Sequence, residues 1–147
     1  MKQFQFPLER VLRVREIKED ELQQQLKDAR DKKEYEEKRL SELMDIQKKY
    51  KEEFLENIDK PTKVFEVKHF CSYFPELEKE IDNQKERVEK ADEHLNQCFF
   101  EWQEAKKERK IMENLKEKKR DQFSKEQLKV EQKFFDELAQ NPNRLNI

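Results

Sequence analysis

Apolar side chains recur along the first half of the chain in alternating steps of four and three residues. The series runs through Leu8, Leu12, Arg15, Glu19, Leu22, Leu26, Ala29, Lys33, Glu36, Leu40, Leu43, Gln47, Tyr50 and Phe54. Most of these positions are apolar, which is the spacing of a coiled-coil seam with polar interruptions. Period-two alternation is absent, so the pattern predicts a long α-helix and no strand.

The second half of the chain carries a similar seam. Its positions are Leu77, Ile81, Gln84, Val88, Ala91, Leu95, Cys98, Trp102, Ala105, Arg109 and Met112. Beyond them the apolar stripe continues with a slip in phase through Leu115, Phe123, Val130, Phe134 and Leu138. Such slips bend or locally unwind a coiled coil. The residues singled out as seam residues are Leu12, Leu22, Leu26, Leu40, Ile81, Val88, Leu95 and Trp102.

Proline and turn-forming residues divide the chain. Pro7 suits the first turn of a helix, so helix 1 is expected over about residues 7–57. The stretch "ENIDKPTK" predicts a turn at about 58–62, followed by helix 2 over about 63–140 and a tail over 141–147. A short connection makes helical neighbours antiparallel, so Leu8 should face about Lys116. The predicted fold is all-α: one long antiparallel two-helix coiled-coil hairpin over residues 1–147, with an overhanging C-terminal helix.

Pro75 leaves two interpretations of helix 2 open. Apolar residues at helical spacing between Val64 and Leu77 carry the helix back to about Lys63. Pro75 then lies inside the helix, where it removes a backbone hydrogen bond and is expected to produce a kink. In the alternative, helix 2 begins at Ser72 and Pro75 lies in its first turn.

The composition fits this simple architecture and excludes several classes of function. Of the 147 residues, 46% are charged, 33% are hydrophobic and none is glycine. So few apolar residues fill only a thin core, such as the seam between two helices. Without glycine the chain has no phosphate-cradling loop, so no nucleotide cofactor and no enzyme is expected. The net charge of −2 argues against nucleic acid as a partner.

The sequence also argues against membrane insertion and secretion. No apolar run reaches the length of about 18 residues that a transmembrane helix needs. The N-terminus lacks the apolar stretch of a signal peptide. Two cysteines without a secretion signal indicate reduced thiols in the cytosol.

Histidine and cysteine occur in two pairs that suggest zinc. His69 and Cys71 form one pair, and His94 and Cys98 lie four residues apart on one helical face. Because the pairs would lie nearly 40 Å apart along one helix, they cannot meet within one chain. No metal site and no catalytic set are therefore expected, and Cys98 is interpreted as a seam residue.

Charged runs and aromatic pairs are the candidates for partner contacts. The basic runs at 106–110 and 116–120 are interleaved with glutamates, which is typical of a solvated helix face; contact with an acidic protein surface is the alternative. The pairs Phe99–Phe100 and Phe134–Phe135 fall partly or wholly outside the seam. Exposed aromatic clusters usually mark partner contacts, the alternative being half-buried rings at the seam edge.

Motifs along nearly the whole chain resemble the FliJ family, small coiled-coil proteins of the bacterial flagellar type III export apparatus. "FQFPLERVLRVREIKEDELQQQL" resembles the family's opening, and "LSELMDIQKKY" resembles its mid-helix segment. "EWQEAKKERKIMENLKEKKRDQF" followed by "EQKFFDELA" resembles its C-terminal half. The order and spacing of these motifs make the combination specific, although each motif alone is weak.

The resemblance implies a non-catalytic stalk. By this resemblance the end with the termini enters the ring of the export ATPase FliI. The loop end faces the export-gate protein FlhA, at the cytoplasmic face of the flagellar basal body. Export chaperones are further implied partners. The competing interpretations are a generic structural coiled coil that self-associates and a hairpin that binds nucleic acid or the ribosome.

The resemblance also implies contact residues. The family's gate-contacting positions fall on Arg39, Leu43, Ile46, Tyr50, Tyr73, Leu77, Glu80 and Gln84. Three of these residues depart from the family's residue type, namely Arg39, Glu80 and Gln84. The residues expected at the ATPase ring are Arg13, Arg15, Phe134 and Leu138.

Overall fold

Two long helices make up the computed structural model, which describes residues 2–57 and 64–141. Helix α1 spans Glu9–Asn57 and helix α2 spans Val64–Gln140. The described ranges contain no strand, and the two helices pack against each other, which confirms the predicted all-α fold. The predicted turn at 58–62 and all but the first residue of the predicted tail lie outside the described residues.

Helix α1 begins two residues after Pro7. The backbone N–H of Glu9 donates to the carbonyl of Phe6 over 3.1 Å, which closes a turn with Pro7 and Leu8 at its centre. Proline is favoured at this first central position because its fixed φ suits the turn. The N–H of Leu12 then donates to the carbonyl of Leu8 over 3.0 Å and starts the helical pattern. Pro7 thus precedes the helix and sets its start.

Helix α2 passes through Pro75. Because the helix already begins at Val64, the alternative start at Ser72 is wrong. Pro75 removes one N–H from the backbone ladder, and the kink expected there stays a prediction.

The chain divides into two compact units, which are described separately. Unit 1 comprises Met1–Glu21 and Gln103–Ile147, and unit 2 comprises Leu22–Trp102. The expectation of a single hairpin domain over the whole chain stays a prediction.

Unit 2 is an antiparallel helix pair. Nζ of Lys33 lies 2.8 Å from a carboxylate oxygen of Asp92, and the hydroxyl of Tyr50 lies 2.7 Å from Nδ1 of His69. A later residue of α1 therefore contacts an earlier residue of α2, which makes the two helices antiparallel. The contact with Asp92 is the main cause that raises the pKa of Lys33, so this lysine stays charged at neutral pH.

Two clusters of buried apolar side chains form the core of unit 2. The first comprises Leu26, Ala29 and Cys98, with Leu95 and Trp102 packed against it. The second comprises Leu43, Leu77 and Ile81, with Leu40 packed against it. All of these residues occupy positions of the two seam series, so a single layer of side chains between the helices supplies the core.

The seam residues differ in how deeply they are buried. Leu12, Leu26 and Ile81 are buried, whereas Leu22, Leu40, Val88, Leu95 and Trp102 are half-buried. Two helices alone do not enclose a large side chain on every side, which explains why the tryptophan keeps an exposed edge. The ring of Phe99 covers part of that edge, with its centroid 5.9 Å from the centroid of Trp102.

Ion pairs join the helices of unit 1, beside the buried side chains of Phe6, Leu12 and Ala105. Nζ of Lys116 lies 2.9 Å from a carboxylate oxygen of Glu9. Two further pairs, Arg15 with Glu108 and Arg109 with Glu19, link the helices. The polar interruptions of the seam thus meet partners of opposite charge.

The N-terminal segment extends the packing of unit 1. The ring of Phe4 lies 5.7 Å from the ring of Phe123, centroid to centroid, and the guanidinium of Arg120 lies 5.8 Å from the Phe4 centroid. Residues that precede α1 therefore also reach α2. Beyond Phe123 the exposed large apolar side chains among the described residues are Leu128, Val130, Phe134 and Phe135, whereas Leu138 is half-buried.

Two negative findings hold within residues 2–57 and 64–141. Neither helix has a stretch long and apolar enough to cross a bilayer. No three His, Cys, Asp or Glu side chains lie together in a way that holds a metal ion. His94 and Cys98 do meet, with Nε2 3.6 Å from Sγ, and His69 instead contacts Tyr50.

The two cysteines are expected to react with a thiol reagent at very different rates. Cys71 is exposed, whereas Cys98 is buried. Burial is the main cause that raises the pKa of the Cys98 thiol, and the charge of Glu101 adds to it. Because the thiolate is the reactive form, the reagent should modify Cys71 at once and Cys98 only when the helices separate.

Absorbance after addition of a disulfide reagent measures both rates. The Cys71→Ser variant should keep only the slow phase and the Cys98→Ser variant only the fast one. In the unfolded chain Cys98 ionises at its ordinary pKa of about 8.5. Its raised folded pKa therefore lowers the free energy of unfolding as the pH rises past that value. Equal rates at the two cysteines would contradict the burial of Cys98.

Candidate partner-binding surface

Aromatic side chains from both helices meet in unit 2, near the end of α1 and the start of α2. Tyr50 and Phe54 lie one turn apart on α1. On α2 the spacing of four residues occurs twice, in His69–Tyr73 and Phe70–Phe74. Residues four apart share a helix face, so both helices present a short aromatic stripe to each other. We call the set of Tyr50, Phe54, His69, Phe70, Tyr73 and Phe74 the aromatic cluster.

The rings of the aromatic cluster are in close contact. Phe54 stacks on Phe70 with centroids 3.9 Å apart, and Tyr50 stacks on Phe70 at 5.4 Å. The edge of Tyr73 meets Tyr50 at 5.0 Å. Offset and edge-to-face pairs each contribute about 0.5–1.5 kcal/mol beyond simple burial. The cluster therefore fixes the position of the two helices where the seam has few aliphatic residues.

A polar contact orients Tyr50 within the cluster. Its hydroxyl lies 2.7 Å from Nδ1 of His69. Burial raises the pKa of the Tyr50 phenol, with smaller contributions from Tyr73 and Glu53. The phenol thus keeps its proton at neutral pH and donates it to Nδ1 whenever that nitrogen carries none.

A groove of about 330 Å³ lies beside the aromatic cluster. Its apolar wall includes Phe54, Phe65, Val67 and Phe70. The side chain of Phe65 is 83% exposed, and that of neighbouring Val64 is 72% exposed. Large apolar side chains in such positions usually belong to a contact with another molecule.

Acidic residues accompany this apolar wall. Glu53 and Glu66 also line the groove, and among residues 2–57 and 64–141 its lining includes no lysine or arginine. Neither glutamate makes an ion pair with a residue in these ranges. The groove therefore combines aromatic rings with two carboxylates that no described residue pairs with.

Comparison with known proteins identifies the family. The family described as "Flagellar FliJ protein" matches residues 4–144. The chain belongs to the FliJ family. A solved structure of the proposed YscO homologue CT670 from Chlamydia trachomatis is similar, with a TM-score of 0.73 and 25% sequence identity over 98% of each chain. No curated protein matches the sequence.

Membership of the FliJ family makes this an α-helical protein of flagellar type III export. The exposed residues of each unit are therefore the candidates for contact with other proteins.

The residues that the FliJ resemblance predicts at the export gate, here called the gate positions, divide by burial into two groups. Leu43, Leu77 and Gln84 are buried between the helices. The other five are Arg39, Ile46, Tyr50, Tyr73 and Glu80, of which Tyr50 is half-buried and the rest are exposed. Only the second group can touch a partner without separation of α1 and α2. A substitution in the first group acts through packing.

Gln84 illustrates why a polar side chain is buried among the gate positions. Its amide donates to the backbone carbonyl of Glu36 over 3.0 Å and also to the Glu36 carboxylate. Buried polar groups need such partners to avoid a desolvation cost. Gln84 therefore links the helices and fixes their register. Across the same surface, a guanidinium nitrogen of Arg39 lies 3.5 Å from a carboxylate oxygen of Glu80.

The residues expected at the ATPase ring lie in unit 1. Arg13 is exposed, Leu138 is half-buried, and Phe134 is 58% exposed. Phe134 and Phe135 meet edge to face with centroids 6.1 Å apart. Arg15 contacts Glu108, so part of its charge is already neutralised within the protein. The structure thus leaves Arg13 and Phe134 as the exposed side chains of this set, and Phe135 is exposed beside Phe134.

Sequence reasoning did not assign Phe54, Phe65 or Phe70 to a site. The only available signal was an excess of phenylalanine on both sides of the predicted turn, at positions 54, 65, 70 and 74. Spacing placed these residues on helices without showing that the rings of Phe54 and Phe70 stack across them. Both rings line the groove beside the aromatic cluster.

Proposed function

We propose that this protein is the non-catalytic stalk of the flagellar type III export apparatus. Unit 1 contacts the ring of the export ATPase, and unit 2 contacts the cytoplasmic domain of the export-gate protein. The observation that supports this assignment is that large apolar side chains are exposed in both units. Ile46, Phe65 and Tyr73 lie in unit 2, whereas Phe134 and Phe135 lie in unit 1.

A stalk of this kind acts by differential binding. The FliJ-type helices carry no reacting group into the ATPase in this proposal. Unit 1 binds one conformation of the ring more tightly than the others and thereby shifts the ring's equilibrium towards it. Export chaperones released from their cargo bind the same protein. It works at the cytoplasmic face of the flagellar basal body.

Binding to the gate protein tests the proposal. The double variant Ile46→Ala/Tyr73→Ala should weaken binding to the gate protein's cytoplasmic domain by about 10- to 100-fold, as loss of central interface side chains usually does. Both side chains are exposed, so the helix content should not change, and because Tyr73 also contacts Tyr50, urea unfolding of the same variant measures any loss of packing. Titration calorimetry measures the dissociation constant, and circular dichroism measures the helix content.

Tyr35→Ala is the matched control for this experiment. Tyr35 is an exposed aromatic residue of α1 in the same unit, about three helical turns before Ile46, and is not itself one of the predicted gate positions. Its variant should bind the gate domain like the unchanged protein. If the gate domain fails to bind the unchanged protein at all, the stalk assignment is wrong. If Tyr35→Ala weakens binding as much as the double variant, the assignment of the gate surface is wrong.

Self-association through the aromatic pair of α2 is a second candidate function. Phe99 and Phe100 are exposed, although Phe99 also contacts Trp102. A structural coiled coil would use these rings to form a stable dimer. Sedimentation over a wide concentration range separates the two functions, because the stalk is expected to remain monomeric and a structural coiled coil is not.

A further inference from the structure

The groove beside the aromatic cluster has the chemistry of a peptide-binding site. Its volume of about 330 Å³ is at the lower end of the range of about 300–1,000 Å³ in which ligand pockets usually lie. It accommodates a few side chains and is too small for a whole helix pair. Its apolar wall gives affinity, and its polar groups give a preference for charge.

The charge of the groove indicates the charge of its occupant. Glu53 and Glu66 contribute negative charge at the groove without an ion-pair partner among the described residues. The faces of the aromatic rings are also electron-rich and attract cations. Both features favour a positively charged ligand and disfavour an acidic one. The influence of Glu53 extends to Tyr50, whose pKa it helps to raise.

We infer that this groove binds a short basic segment of a protein partner, in which an apolar side chain is flanked by lysine or arginine. The apolar side chain packs against Phe65 and Phe70. The basic side chains pair with Glu53 and Glu66. This inference rests on the proposed function, in which unit 2 contacts the export gate, and it names the chemistry of that contact beyond the gate positions.

The groove residues extend the surface that the FliJ resemblance indicated. Of the eight gate positions, only Tyr50 lines the groove. Phe65 is the best residue to test because its side chain is 83% exposed and contributes little to packing within the chain. Its removal therefore separates binding from folding.

Two labelled peptides of equal length serve as probes. Both carry a central phenylalanine, which is flanked by two arginines on each side in the first peptide and by two glutamates on each side in the second. Fluorescence anisotropy against the full chain should show at least about tenfold tighter binding of the arginine peptide, a difference of about 1.4 kcal/mol. Binding should weaken as salt is added, because salt screens exposed charges.

Three variants of the full chain complete the experiment. Phe65→Ala and the double variant Glu53→Lys/Glu66→Lys should each lower the affinity for the arginine peptide by about tenfold or more. The control Glu34→Lys/Glu89→Lys makes the same change of total charge at exposed positions away from the groove and should leave the affinity unchanged. Circular dichroism should show the same helix content for all of them.

The outcomes distinguish this inference from the proposed function. Equal binding of the two peptides overturns the inference, as does equal loss of affinity in the groove and control variants. If the gate domain binds the unchanged protein and also both groove variants with full affinity, the groove is not its contact, although the stalk function stands. If the arginine peptide binds in the groove and the gate domain does not bind at all, the proposed function fails and the groove serves another basic partner.

Discussion

Leu77→Ala is expected to lower the free energy of unfolding by about 2–5 kcal/mol, the usual cost of truncating a buried leucine. Leu77 is 2% exposed and packs with Leu43 and Ile81 between the helices of unit 2. The effect is large because the total stability of a domain is only about 5–15 kcal/mol and this core is a single layer. Urea unfolding followed by circular dichroism measures the change.

Leu55→Ala is the matched control, since Leu55 lies on α1 of the same unit and is 54% exposed. Its variant should unfold within about 0.5 kcal/mol of the unchanged protein, as surface substitutions usually do. Equal losses in the two variants would show that Leu77 is not buried in solution. The gate binding of the Leu77→Ala variant should also be measured. A loss of binding in this variant arises from packing, because Leu77 is buried. A loss of binding in Ile46→Ala/Tyr73→Ala without a loss of stability arises from contact.

Glu19→Ala is expected to lower the free energy of unfolding by about 1–3 kcal/mol, less than the cost of breaking a fully buried ion pair. The Glu19 and Arg109 side chains are 13% and 20% exposed. The hydrogen bonds that the guanidinium donates to Glu113 and then to Glu19 raise the pKa of Arg109, so the guanidinium stays charged when Glu19 is removed. Glu113, whose carboxylate lies 2.7 Å from the guanidinium, keeps part of the compensation. Thermal and urea unfolding both measure the loss.

The double variant Glu19→Leu/Arg109→Leu sharpens this test. Because both positions belong to the seam, two leucines should restore the lost stability or exceed it. The exposed pair of Lys107 and Glu104 supplies the control, and Lys107→Ala should change the free energy of unfolding by less than about 1 kcal/mol. A Glu19→Ala variant as stable as the Lys107→Ala variant would show that the pair is fully solvated.

The helices and their facing sides follow closely from the sequence because a coiled coil depends on local rules. The four–three spacing that marks Leu26, Leu43 and Cys98 is the same spacing that buries them. This spacing can be recognised in the sequence without knowledge of any long-range contact. Polar seam residues such as Gln84 and Arg109 also follow from the register, although their partners do not. The spacing shows which side of each helix faces inward. It does not show which carboxylate on the other helix pairs with a given residue.

The candidate site was harder to predict because it depends on contacts across the helices. The stack of Phe54 on Phe70 joins residues that no periodic series links directly. The contact of Phe4 with Phe123 brings a segment outside the helix onto the seam, which helical spacing does not describe. Exposure likewise requires coordinates: Phe65 and Phe70 have similar sequence surroundings, yet Phe65 projects into solvent and Phe70 stacks with two rings.

The two units should respond to the ionic medium to different degrees. In unit 1 the carboxylate pairs of Lys116, Arg15 and Arg109 join α1 and α2, and dissolved salt weakens such attractions. Unit 2 also has ion pairs between its helices, such as that of Lys33 with Asp92, but its two apolar clusters are strengthened by excluded salts such as sulfate. Added sulfate is therefore expected to destabilise unit 1 more than unit 2.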